Sequence, residues 1–144
     1  MEKKVKIIIA EDDEGHATLI KRNLKRAGVM NEIIQFFNGQ DTLDYLFKNG
    51  KYKDRDSEYA LLLLLDIKMP GKDGVEVLKE IKEDEHLKKI PVIMITTTTD
   101  PREVEKCHEL GCSNYISKPV DYVKFVDAIK KLGLFLMVVE VPEI

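Results

Sequence analysis

Apolar positions along this chain fall into short dense runs separated by amphipathic stretches. Val5 to Ala10 (VKIIIA) is β-branched and apolar and predicts a buried strand. From Gly15 to Ala27 the period changes: Ala17, Ile20, Leu24 and Ala27 recur at helical spacing, and Gly28 stops the helix. Glu32 to Phe36 (EIIQF) predicts a second strand, and Gly39 to Phe47 a short helix with Leu43, Leu46 and Phe47 inward. Lys48 to Tyr59 is polar and aperiodic, a surface loop rather than a domain linker. Leu61 to Leu65 is the third strand, and a helix follows over 75–83 with Val75, Leu78 and Ile81 inward. Pro91 to Ile95 (PVIMI) is the fourth strand. A helix over 101–110 then opens on Pro101 and ends at Gly111. Asn114 to Ser117 (NYIS) is the fifth strand, and the last helix runs from Val120 to about Leu132.

Strand and helix therefore alternate throughout, which predicts an α/β domain with a parallel sheet between helix layers. Strands that are apolar at nearly every position agree with a sheet covered on both faces. The 144 residues suit one domain with a real core. The composition, 44% hydrophobic and 34% charged, is that of a soluble globular protein. A net charge of −3 gives no reason to expect nucleic acid or an anionic membrane as partner. No apolar run approaches a membrane span, and the N-terminus lacks a cleavage-type signal. Two cysteines, Cys107 and Cys112, make no disulfide framework and read as buried thiols; a reducing cytoplasm is the expected location.

In parallel sheets, ligands sit beyond the C-terminal strand ends. Here the first strand ends in Glu11-Asp12-Asp13, the third in Asp66, the fourth in Thr96 and the fifth near Lys118-Pro119. Converged, these ends form a pocket of carboxylates with one hydroxyl and one ammonium. Carboxylates so close must share a proton or a cation. An all-oxygen, partly solvated site suits Mg²⁺, and the lysine adds a compact positive charge. The constellation points to phosphoryl transfer to a carboxylate, with Asp66 as nucleophile.

With these residues in order, the chain resembles a two-component response regulator receiver domain of the CheY-like class. The resemblance rests on IIIAEDD, LLLLLDIKMPGKDG, PVIMIT and NYISKP, and spans roughly Lys4 to Leu132. It implies a three-layer, flavodoxin-like fold with strand order 2-1-3-4-5. It further implies that Glu11 and Asp12 help to hold Mg²⁺, that Asp66 is the phosphoacceptor and that the Lys68 backbone carbonyl completes the metal site. Thr96 matches the hydroxyl switch residue, Tyr115 the aromatic switch position and Lys118 the active-site lysine, with Pro119 expected after a cis peptide. Asp13 falls one position beyond the acidic pair. Thr97 is bulkier than the residue usual there, which implies slower access of water and small phosphodonors.

The gap between Asp12 and Asp66 is longer than usual by about ten residues, mostly in Lys48 to Tyr59. The chain also continues past the last helix as GLFLMVVEVPEI. Both features resemble stand-alone regulators paired with bacterial phytochromes and related sensor kinases. The expectation is thus a single receiver domain over 1–144 with 133–144 as an extension and no output domain. Phe125, Ile129, Leu132 and Leu136 keep helical spacing, so the last helix is expected to continue to about Met137. The apolar run 134–139 predicts a homodimer through the last helix and tail.

Other residues carry plainer readings. His16, His86 and His108 have no ligand-like spacing and read as surface residues. Asp73-Gly74 is turn chemistry, Asp100 an N-cap, and Thr97 to Thr99 structural. Two competing functions are a receiver-like module that takes no phosphate and a haloacid-dehalogenase-type phosphatase. The phosphatase requires a second carboxylate two residues after the nucleophile, where this chain has Lys68.

Overall fold

The computed structural model describes residues 5–55, 60–97, 100–118 and 121–131, without the side chains of Ile129 and Lys131. The expectations for Thr98, Thr99, Pro119 and the helix continuation and tail beyond Lys131 lie outside the described residues.

The elements are β1 (Val5–Ala10), α1 (Glu14–Arg26), β2 (Ile33–Phe36), α2 (Gly39–Leu46), β3 (Ala60–Leu65), α3 (Gly74–Glu83), β4 (Val92–Thr96), α4 (Pro101–Glu109), β5 (Asn114–Ser117) and α5 (Tyr122–Lys131). All strand pairs are parallel, in the order β2-β1-β3-β4-β5. Because side chains alternate across a sheet, each strand feeds two cores. Ile7, Ile9, Leu62, Leu64, Ile93 and Ile95 meet Ala17, Ile20 and Leu24 of α1 and Phe125 and Ala128 of α5. On the other face Ile8, Leu63, Leu65, Val92 and Met94 meet residues of α2, α3 and α4, among them Leu43, Val77, Leu78 and Cys107. The run LLLLL is apolar at every position because both its faces are covered.

The helix starts are capped by side chains. Asp13, Asn38, Asp73 and Asp100 each accept a backbone N–H from the first turn of α1, α2, α3 and α4. One expectation changes, and two 3-10 turns are added. Phe47 follows the end of α2 and stays 37% exposed, because the helix stops one residue earlier. The described part of the 48–59 segment, residues 48–55, is anchored to the fold. A 3-10 turn at Gly50–Tyr52 sets the Tyr52 ring edge-on to Phe36 and Tyr45, and Arg55 donates to the carbonyls of Tyr45 and Leu46. A second 3-10 turn, Leu87–Lys89, was not foreseen; it buries Leu87 between α3 and β4.

The turn after β3 is the tightest point of the frame. The Gly74 N–H donates to the Ile67 carbonyl at 2.7 Å, and a Cβ at Gly74 would lie 2.2 Å from the Asp66 carbonyl oxygen. Only glycine lets α3 start this close to the residue that ends β3. Gly74→Ala is therefore expected to cost about 1–3 kcal/mol through backbone displacement, read as a lower urea midpoint at unchanged slope.

Candidate functional site

Register brings the strand ends together. Ala10 pairs with Leu65, so Glu11 and Asp66 leave adjacent strands side by side, and the Asp66 N–H donates to the Ala10 carbonyl at 3.0 Å. Thr96 pairs with Ser117, and the Lys118 N–H donates to the Thr96 carbonyl at 2.8 Å. Four consecutive central and edge strands thus deliver their C-terminal residues to one spot.

Glu11, Asp12 and Asp66 each offer a carboxylate oxygen, and these oxygens lie within 4.8 Å of one another. Glu11 and Asp66 are buried, while Asp12 faces solvent. The Lys118 ammonium enters from β5, donating to Glu11 Oε1 and, at 3.2 Å, to Asp66 Oδ2. It too is buried, its side chain only 5% exposed. Thr96 is fully buried at the end of β4. Asp13 caps α1 and is not one of the three carboxylates whose oxygens lie together. Lys68 follows Asp66 by two residues with its side chain exposed.

Electrostatics marks Glu11 as the group under most stress. Burial, first, and the neighbouring Asp66 carboxylate push it from its ordinary 4.5 up to about 8, against the opposing pull of Lys118. Its Oε1 is engaged by Lys118, but Oε2 is buried and has no hydrogen-bond partner. A buried carboxylate oxygen beside two further carboxylates is a place for a proton or a hard cation. The donor set, all oxygen and open on the Asp12 side, fits a divalent ion of the Mg²⁺ or Mn²⁺ type.

Tyr115 on β5 is half-buried, and burial, chiefly, pushes its hydroxyl up to about 12; Cys107, Glu103, Cys112 and Asp66 add to the effect. Cys107 is buried as expected and Cys112 partly so, and no disulfide joins them. The neighbour of the site that sequence reading did not find is His16. It is exposed, as expected, yet its Nδ1 lies 2.8 Å from Lys118 Nζ and 3.3 Å from Glu11 Oε1. One signal was available: His16 stands in the first turn of the helix that directly follows Glu11-Asp12, so it had to lie near the acidic strand end. His86 and His108 are exposed and lie apart from the carboxylates.

Comparison with known proteins agrees with this geometry. Residues 7–130 match the response regulator receiver domain family. Response regulator Rcp1 of Synechocystis sp. is 34% identical over 131 residues, covering 89% of this chain and 88% of that protein. The solved structure of the bacteriophytochrome response regulator RtBRR is 36% identical, covers 99% of this chain and 85% of its own, and superposes with a TM-score of 0.84. A solved structure described as the Mn(2+)-bound form of response regulator Rcp1 is 30% identical, with 97% and 99% coverage and a TM-score of 0.77.

The Glu11 proton has a consequence for stability. Between the unfolded value near 4.5 and the folded value of about 8, the folded chain holds a proton that the unfolded chain has lost. Stability then falls as pH rises across that window and levels off above it. Urea titrations in the presence of a chelator are expected to show this decline in the wild type. Glu11→Gln, with no proton to lose, removes this contribution to the slope.

Proposed function

We infer the function from one premise: this chain belongs to the response regulator receiver domain family of two-component signalling. The reading that fits its residues is a phosphorylation-controlled signalling protein that acts by binding rather than as an enzyme on a separate substrate. One observation carries it. Glu11, Asp12 and Asp66 converge within 4.8 Å beside the buried Lys118 ammonium, with one Glu11 oxygen left unpartnered.

The roles follow from position. Asp66 Oδ attacks the phosphorus of a phosphohistidine on a sensor kinase; the new O–P bond forms as the P–N bond breaks, and the kinase imidazole leaves. Lys118, already donating to Asp66, offsets the charge of the incoming phosphoryl oxygens. Glu11, Asp12 and Asp66, completed by the Lys68 backbone carbonyl, are the residues that hold Mg²⁺. When bound, the ion neutralises charge on the carboxylates and the phosphoryl group. That a relative has been solved in an Mn(2+)-bound form supports a divalent ion in this set. Thr96 is the hydroxyl that donates to the new phosphoryl oxygen, and Tyr115 follows it. That motion shifts a population between surfaces on α4, β5 and α5.

Partners follow the resemblance. The likeness to the bacteriophytochrome response regulator RtBRR favours a phytochrome-like sensor histidine kinase in the cytoplasm. Output is a change in dimerisation or partner binding, with a homodimer through α5 and the tail. Val123 on α5, 69% exposed, supports an interface on that helix. No helix among the described residues is long and apolar enough to cross a membrane.

The direct test is phosphate incorporation from acetyl phosphate. Wild type is expected to take up acid-labile, hydroxylamine-sensitive phosphate only when Mg²⁺ is present, and Asp66→Asn to take up none. No Mg²⁺-dependent label on wild type would leave the phosphate-independent module as the better reading. Label surviving in Asp66→Asn would refute the assignment of the acceptor.

A further inference from the structure

An ammonium group has three hydrogens to donate. Lys118 Nζ has three acceptors around it: Glu11 Oε1, Asp66 Oδ2 at 3.2 Å and His16 Nδ1 at 2.8 Å. The first two are the carboxylates of the site itself. The third comes from outside it, on the first turn of α1. There His16 is 45% exposed while the lysine side chain it contacts is 5% exposed.

We propose that His16 is a positioning residue for phosphoryl transfer, holding the Lys118 ammonium from the solvent side through its ring nitrogen Nδ1. The proposal rests on the phosphoacceptor reading given above and adds to it a residue outside the family's motif positions.

Local structure builds the contact. Asp13 caps α1 by accepting the His16 backbone N–H at 3.0 Å, which fixes the backbone from which the imidazole projects. In the tautomer that this role requires, Lys118 donates to Nδ1 and the ring hydrogen is on Nε2, which lies 4.0 Å from Asp13 Oδ2. A chain of contacts thus runs from Asp13 through His16 to Lys118. Asp13 acts on the imidazole through the capped backbone, by accepting the His16 N–H.

Chemistry gives the contact its use. The other two acceptors of Lys118 are both altered when the site works. Glu11 would be one of the residues holding the divalent ion, and Asp66 would become an acyl phosphate, its negative oxygen taken up in the new O–P bond. His16 Nδ1 is neither a metal ligand in this scheme nor a reacting atom. It remains as the acceptor that keeps the ammonium aimed at the phosphoryl oxygens while the carboxylates change partners. A hydrogen bond to a charged group of this kind, partly exposed, corresponds to roughly a tenfold effect on rate.

Two variants separate the hydrogen bond from the shape of the ring. His16→Leu fills similar space with no acceptor, whereas His16→Asn places an amide oxygen near the position of Nδ1. The measurement is the Asp66 phosphorylation rate with acetyl phosphate and saturating Mg²⁺, as a function of donor concentration. Thermal midpoints and Mg²⁺ affinity by calorimetry are taken alongside. His16→Leu is expected to lower the maximal rate roughly tenfold with donor half-saturation and thermal midpoint unchanged, and His16→Asn to recover most of it. A maximal rate in His16→Leu equal to wild type overturns the proposal, as does an equal loss in both variants. If wild type itself takes no label, the phosphoacceptor reading has failed and this inference goes with it. If wild type labels, Asp66→Asn does not, and His16→Leu is silent, only the inference has failed.

Discussion

The buried ammonium of Lys118 is the interaction around which the rest of this structure is arranged. It lies between Glu11 and Asp66, two carboxylates that are also buried. Bringing such charges out of water is costly unless they are paired and hydrogen-bonded. The pairing depends on three elements far apart in sequence: Glu11 follows β1, Asp66 follows β3 and Lys118 follows β5. A slip of one residue in any of these strands would turn its terminal side chain to the other side of the sheet. The apolar strands hold the register, because each places alternate residues into two separate cores. The sheet thus supplies, through packing alone, the positional precision that the charged cluster requires.

Much of this was legible in the sequence, for reasons that differ by region. The strands were clear because a doubly covered parallel sheet writes itself as unbroken apolar runs, VKIIIA and LLLLL above all. The carboxylates, Thr96 and Lys118 were clear because each directly ends a strand, and parallel strands end together. What was not legible depended on side-chain direction. His16 looked like a surface histidine and is one by exposure, yet its ring reaches Lys118, 102 positions away in sequence. The 48–59 loop read as polar and aperiodic. Its attachment rests on two residues, Tyr52 and Arg55, which find partners in Phe36, Tyr45 and the end of α2. Such anchoring leaves no periodic trace. Phe47 failed for a smaller reason: α2 ends one residue before the pattern does.

The same sheet separates two kinds of business. At the C-terminal strand ends sit the ionisable groups. At the opposite end, the long loop and the Leu87–Lys89 turn close over the cores with aromatic and aliphatic packing. Conformational change at Asp66 therefore need not disturb the frame. Of the described site residues, Thr96 is fully buried and Tyr115 half-buried, so in the proposed mechanism a hydroxyl moving toward a phosphoryl group would open space for a neighbouring ring. Packed interiors do not leave such space empty, and this gives a small shift at β4 a route to β5 and the surface beside it.

Charge counting explains why this site responds to a proton and to a metal in related ways. Glu11, Asp12 and Asp66 would together carry three negative charges against the one positive charge of Lys118. Without a metal, burial first and the neighbouring Asp66 second favour a proton on Glu11, whose carboxyl is pushed up to about 8, and that proton also eases the imbalance. A divalent cation relieves it more fully, and it competes for the same oxygens. Binding the ion therefore displaces the proton, and the two solutions exclude each other at Glu11. A phosphoryl group arriving on Asp66 brings further negative charge, which the protonated, metal-free pocket has no means to offset beyond Lys118. The pocket is accordingly built to be incomplete by itself, with its fixed positive charge too small for its acids. On the phosphoacceptor reading, that deficit is a physical reason for a divalent ion to precede phosphoryl transfer.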